Sequence, residues 1–220
     1  MKRTNALFLI ILVLIFTIFP NGHGYSKESS SIFIKVDLWK NELYVIENEK
    51  IIQLYKIAPG TEESPTPIGT FKVNEKSKSW GGGFGSRWLG LNVPWGVYGI
   101  HGTNKPWLIG KKASSGCIRM RNQDVEELFD MVTEGTTVHI EGPITGIGKG
   151  ELINLSVGSK GNLVQLVQER LKFDGIYKGK VNGIYDIETE RAVKTFQRNN
   201  NIAETGVISK REYLLLGILE

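Results

Sequence analysis

The sequence holds one cysteine and three histidines in 220 residues. A single thiol cannot staple the chain to itself, so a fold framed by internal disulfides is excluded. The roles left for it are an apolar filler, an intermolecular bridge or a reactive group, and composition does not choose among them. Excess positive charge is also small. The formal net charge is +4, with Lys2 and Arg3 supplying two of those charges. No basic cluster forms a nucleic-acid footprint, so nucleic acid is not an expected partner. Long apolar runs are missing too. The longest, Ala6 to Phe19 with Thr17 its one interruption, covers 14 positions, short of the roughly 20 that a spanning helix needs.

What is present points outward from the cell. Lys2 and Arg3 precede the apolar run, Pro20 ends it, and the small residues Gly22 and Gly24 follow. This order reads as a signal peptide over 1–24 with cleavage after Gly24. The alternative is an uncleaved anchor; either places the remainder outside the cytoplasm and limits membrane contact to this export segment. Hydrophobic residues make up 40% of the chain, enough for a packed core, and 26 glycines favour turns, short strands and close backbone approaches. No oligomeric state follows from any of this.

Residues 25–31 are polar and serine-rich, a linker. Strand-like segments then follow closely: 31–38, 43–46 and 51–57, joined by polar turns at Lys40-Asn41 and 47–50. They predict an antiparallel meander. Pro59-Gly60 and 65–69 signal loops, and 70–73 resumes as a strand. The stretch 77–96, rich in glycine and tryptophan, predicts a flap or one wall of a groove. The apolar strand Val97–Ile100 delivers His101. After Cys117, Asn122 is the expected N-cap of a helix carrying Val125, Leu128, Phe129 and Val132, and 136–141 alternates like a closing strand. A mainly β unit over 32–141 thus has one helix.

The glycine-rich stretch within 142–156 is a second linker. Beyond it, 157–220 predicts a small all-α domain of three helices. Leu163, Leu166, Val167 and Leu171 form one stripe behind Ser159 as N-cap. Ala192, Val193 and Phe196 form a second. Ser209 and Glu212 are a capping box opening a third helix with Leu215 and Ile218.

The chemistry concentrates in His101-Gly102 and the run Ser114-Ser115-Gly116-Cys117-Ile118-Arg119. A thiol of ordinary pKa, about 8.5, is mostly protonated at neutral pH. It attacks a carbonyl well once a base takes its proton or a cation stabilises the thiolate, and an imidazole can do both. Gly116 lets the backbone turn sharply beside the thiol. The Cys117 amide and a neighbour can then face a tetrahedral oxyanion. Arg119 suits two roles, binding a substrate carboxylate or bracing the loop.

These words resemble the L,D-transpeptidase catalytic domain of the YkuD type, in which His-Gly is followed after a gap by Ser-x-Gly-Cys-x-Arg. His101, Gly102, Ser114, Gly116, Cys117 and Arg119 match, as does the upstream run Thr66-Pro67-Ile68-Gly69-Thr70-Phe71. Ser115 stands where many members carry a second histidine, leaving His101 the one candidate base beside the thiol. The resemblance covers about 31–141. It implies a YkuD-like β-sandwich with Cys117 as nucleophile and His101 as proton donor and acceptor, with the Gly102 carbonyl orienting the imidazole. It implies no metal and no cofactor. The reaction it implies acylates Cys117 with a peptidoglycan stem peptide, releases D-alanine and forms a 3→3 cross-link on an acceptor amine. With water as acceptor the enzyme would be an L,D-carboxypeptidase. The C-terminal segment resembles a three-helix peptidoglycan-binding domain in 164–171, 179–184 and 189–197, with Asn182 where many members have aspartate. Partners implied are the stem peptides and the glycan.

Rival readings fit less well. Sortases carry a different run around their cysteine, and NlpC/P60-type hydrolases place cysteine before histidine. A non-catalytic wall-binding protein would not need both His101 and Cys117. A zinc site from His101, Cys117 and His139 matches no common spacing, and alternation turns His139 away from Val138 and Ile140. The tryptophans at 80, 88, 95 and 107 suit either sugar stacking or core packing, with packing the default.

Overall fold

The computed structural model describes residues 32–79, 81–143 and 152–219. The expected signal peptide over 1–24 and the linker over 25–31 lie outside the described residues, as do Trp80 and residues 144–151 of the second linker.

Eight strands form the first unit: β1 (Ile32–Asp37), β2 (Glu42–Glu47), β3 (Lys50–Lys56), β4 (Gly69–Ser77), β5 (Trp88–Leu91), β6 (Tyr98–His101), β7 (Ile118–Arg119) and β8 (Thr137–Glu141). Their order across the sheet is β3-β2-β1-β8-β4-β5-β6-β7. The meander β1-β2-β3 is antiparallel as its turns predict. Asn48 and Glu49 both have positive φ, the geometry of a two-residue turn that matches strand twist. β8 returns parallel to β1 and pairs on its other side with β4.

β4 is the corner of the fold. Its first half, from Gly69 to Lys72, pairs with β8, and its second half, from Val73 to Ser77, pairs with β5 through a register shift after Val73. A bulged strand that changes partners lets one sheet fold over itself. Both halves then share one core: Ile34, Val36 and Val45 lie with Leu89, Ile100 and Ile118 in a single buried cluster. This is the expected mainly β architecture.

The helix α1 (Asn122–Met131) buries Val125, Leu128 and Phe129. Lys76 Nζ donates to the carbonyls of Phe129 and Val132 at its C-terminal end and sits 4.1 Å from the centre of the Phe129 ring, a cation at the negative end of the helix dipole. The expected N-cap shifts by one residue. Arg121 is the cap and Asn122 the first helical residue, because the Asn122 side chain turns away to accept the Ser86 N–H.

A separate core holds the C-terminal helices α2 (Asn162–Phe173), α3 (Ile187–Asn199) and α4 (Lys210–Leu215). Here three expectations are corrected. Gly161, not Ser159, caps α2; the Ser159 hydroxyl instead accepts the Ser156 N–H. The stripe buried by α2 is Val164, Val167, Gln168 and Leu171, rotated from the predicted one because a polar residue, Gln168, belongs to the core. The Ser209–Glu212 capping box forms, but α4 stops at Leu215 and buries Tyr213 and Glu212, leaving Leu215 exposed.

Gln168 and Gln197 explain how so small a bundle holds its loops. The Gln168 side chain accepts the Asn182 and Gly183 N–H groups and donates to the Ile184 carbonyl and Thr189 hydroxyl. Gln197 accepts the Gly206 N–H and donates to the Val207 carbonyl and Glu212 carboxylate. Each buried amide thus satisfies loop backbone that the helices alone would leave unpaired.

Candidate active site

The pairing of β6 with β7 builds the site. The strands are parallel, with Ile100 opposite Ile118 and His101 opposite Arg119. Ile100 and Ile118 are buried in the core. Alternation therefore sends His101, Cys117 and Arg119 to the other face. Cys117 comes alongside Gly99, one strand across and two residues back from His101. Strand spacing and rise place their Cα atoms about 8 Å apart, a gap that an imidazole and a thiol on one face can bridge.

The cysteine run is held on both sides. Beyond β7, Ala58 and Arg119 exchange backbone hydrogen bonds of 2.8 and 2.9 Å, and Thr61 N–H donates to the Ser114 carbonyl at 3.0 Å. The buried Ser114 hydroxyl donates to the Cys117 carbonyl and accepts the Gly116 N–H. It ties the turn together from inside. Gly116 has φ +107°, and a side chain there would meet the Tyr98 ring at 2.6 Å, so the turn requires glycine. Ser115 is exposed. Arg119 donates to the Ala113 carbonyl at 2.9 Å, which is the bracing geometry.

His101 is almost fully buried, 3% exposed. Its Nδ1 lies 2.5 Å from the Gly102 carbonyl. A carbonyl only accepts, so Nδ1 carries the proton and Nε2 keeps its lone pair. Trp88 stacks on the ring and Phe84 meets it edge-on. Burial holds the imidazole pKa below its ordinary value, aided by the Arg119 charge and opposed by the backbone carbonyls of Gly102 and Phe84. Burial likewise pushes the Cys117 thiol up, against the Gly99 N–H and Arg119, which pull it down. Both shifts favour the neutral thiol and neutral imidazole over a thiolate–imidazolium pair.

The expectation of a flap over 77–96 is corrected in part. Residues 88–91 are a central strand buried along its whole length, because it lies between β4 and β6 within the folded sheet. Trp88 is a wall of the imidazole site that sequence reading left among core residues. Gly99 was missed altogether: a side chain there would meet the Leu89 carbonyl and the Trp88 ring at 2.7 Å. Its signal was a lone glycine inside a strand, the mark of a close approach. His139 stands apart on β8, exposed and bonded to the Thr70 hydroxyl. Among the described residues no group of three or more histidine, cysteine, aspartate or glutamate side chains could hold a metal ion. Among them, too, no helix is long and apolar enough to cross a membrane.

Residues 31–140, half of the chain, match the family described as "L,D-transpeptidase catalytic domain", YkuD. Residues 160–212 match the "Putative peptidoglycan binding domain". The chain is 43% identical over 107 residues to "Putative L,D-transpeptidase YkuD" of Bacillus subtilis (strain 168), covering 49% of this chain and 64% of that relative's length. It is 35% identical over 145 residues to "Putative L,D-transpeptidase YqjB" of the same organism, covering 59% of this chain and 81% of the relative. Among solved structures, the catalytic domain of an E. faecium L,D-transpeptidase aligns over 52% of this chain and 99% of its own, with 25% identity and a TM-score of 0.45. By the family match over half of its length and by its likeness to the Bacillus subtilis relative YqjB, the chain belongs to the L,D-transpeptidase family, with a YkuD-type catalytic domain followed by a region matching a peptidoglycan-binding domain.

Proposed function

We propose that this chain is an exported L,D-transpeptidase that makes 3→3 peptidoglycan cross-links through an acyl-enzyme on Cys117. The observation that carries the reading is the tautomer of His101. Its Nδ1–H is committed to the Gly102 carbonyl, and Nε2 is left to accept a proton on the sheet face that bears the thiol.

The thiol gives its proton to His101 Nε2 as sulfur attacks the carbonyl between the third residue of the stem peptide and D-alanine. The Cys117 N–H and a neighbouring amide stabilise the oxyanion. Collapse breaks the C–N bond. D-alanine departs with the proton from His101, leaving a thioester and a neutral imidazole. An amine of a second stem then attacks the thioester. His101 takes a proton from that amine and returns one to the departing sulfur. The Ser114 hydroxyl and Arg119 hold the loop through these steps. A neutral pair suits this sequence, because a proton moves only when the substrate is in place.

The helical domain binds the polymer and raises the local concentration of stems at Cys117. A groove lined by Lys172, Lys178, Lys180, Asp186 and Glu188 presents both signs of charge, which suits stems carrying both amines and carboxylates. The export segment places both activities outside the membrane.

Purified protein incubated with a disaccharide tetrapeptide, followed by mass spectrometry of products, tests the reading. A dimer lacking one D-alanine and a transient Cys117 adduct support it. A tripeptide product with no dimer identifies water as the acceptor. No product from folded protein, together with no carbapenem adduct on Cys117, overturns the site.

A further inference from the structure

Tyr98 is one residue before Gly99 on β6, and the mechanism above gives it no part. Its half-buried ring is wedged between two glycines. A side chain at Gly96 would meet the ring at 2.8 Å, and one at Gly116 would meet its opposite edge at 2.6 Å. Burial pushes the Tyr98 hydroxyl pKa up, the neighbouring Cys117 charge adds to that push, and the Trp95 side chain opposes both. Trp95 in turn packs edge-on against Phe71, with ring centroids 6.1 Å apart.

The other face of Trp95 belongs to the C-terminal half. A side chain at Gly183 would lie 2.5 Å from the Trp95 ring. Gly183 has φ +66°, and its N–H is held by Gln168. Beside this contact the Asn162 side chain, at the start of α2, accepts the Ile68 N–H at 3.1 Å and donates to the Thr66 carbonyl at 3.4 Å. The Pro65 carbonyl, next along, lies 3.3 Å from where a Gly116 side chain would start. Two lines of contact thus run from the helical domain to the turn that presents the thiol.

We propose that Trp95 and Tyr98 are positioning residues for Cys117, and that the helical domain, seated on Trp95 through Gly183 and clamped by Asn162, completes the wall around the nucleophile. The C-terminal domain is then part of the reactive site as well as an anchor to the polymer. The inference rests on the reading of Cys117 as nucleophile, but the thiol itself can be interrogated without any wall substrate. The charged and titratable groups around that thiol are Arg119, two residues further along the chain, and on β6 Tyr98 and His101, the latter paired opposite Arg119.

The test is the rate of Cys117 carbamidomethylation by iodoacetamide, followed across roughly pH 6–10 in the full chain. Opening the wall admits water and relieves the burial that raises the thiol pKa. In Trp95→Ala and in Asn162→Ala the midpoint of the profile should fall, and alkylation near neutral pH should rise about threefold or more. Trp95→Phe, which keeps a ring on Gly183, should restore the wild-type profile. Circular dichroism and thermal melting establish that each variant is folded. Should Trp95→Ala not fold, Asn162→Ala, which removes only the clamp, decides the matter. A wild-type profile in Asn162→Ala overturns the proposal, whatever Trp95→Ala does. Because the reagent needs no peptidoglycan, this failure is distinct from a failure of the transpeptidase reading.

Discussion

The Trp88 indole stacks on His101 with ring centroids 5.8 Å apart and planes 27° from parallel. A tryptophan of the buried strand β5 thereby sets the tilt of the imidazole, while the Gly102 carbonyl sets its tautomer. Trp88 is 1% exposed, so Trp88→Ala should cost about 3–5 kcal/mol of stability. Trp88→Phe should retain most of that stability. If the stacking aligns Nε2, the phenylalanine variant will still be slower in acylation, measured as the rate of carbapenem adduct formation on Cys117.

Gly99→Ala separates packing from chemistry. The new methyl would press on the Leu89 carbonyl, which is fixed in the sheet, and on the Trp88 ring, which is not. Overpacking of this kind costs about 1–3 kcal/mol, so the protein should stay folded while Trp88 shifts against His101. Acylation should fall by about tenfold or more, the effect of roughly 1.4 kcal/mol on a barrier. An unchanged acylation rate would remove Trp88 from the positioning of the base.

The pH profile should show a neutral resting pair. Burial lowers the His101 pKa, so its C2 proton should titrate, by nuclear magnetic resonance, below the ordinary value of about 6.5. The acid limb of Cys117 acylation should follow that midpoint, since protonated Nε2 cannot accept from the thiol. The sign for stability agrees: an imidazole kept neutral by the fold withdraws its contribution as pH falls below the unfolded value. A midpoint above the ordinary value would indicate an ion pair instead.

Glu212 should make the helical domain acid-sensitive. Burial pushes its carboxyl up, but hydrogen bonds from the Ser209 hydroxyl and N–H and from Gln197 together hold it below the ordinary carboxylate range. A lowered folded pKa contributes stability above the unfolded value, and that stability is lost as pH falls through the folded one. Glu212→Gln should destabilise the domain by about 1–3 kcal/mol at neutral pH and flatten its loss of stability with acid. Melting followed at several pH values checks both.

Much of the fold was legible along the chain because it is local. The β1-β2-β3 meander shows in alternation and in Asn41 and Asn48, residues that tolerate positive φ. The capping box of α4 shows in the spacing of Ser209 and Glu212. β5 did not show, since a strand buried on all sides has no polar alternation to read. The turn of α2 was misjudged because Gln168 is polar yet buried, and only loops brought from elsewhere in the chain give it partners.

The same division runs through the candidate site. The sequence could single out His101, Gly116 and Cys117 as candidates, because a nucleophile, its base and the glycine of a tight turn are matters of chemical type and local backbone freedom, and the family resemblance added the Gly102 carbonyl. The aromatic walls from Phe84 and Trp88, the empty space at Gly99, the strap of residues 58–61 and the seat of Trp95 on Gly183 depend on segments far apart in the chain. Their contacts exist only after the sheet has folded over at β4 and the helices have closed around Gln168, since packing is a property of surfaces brought together and leaves no periodic trace in the residues that supply them.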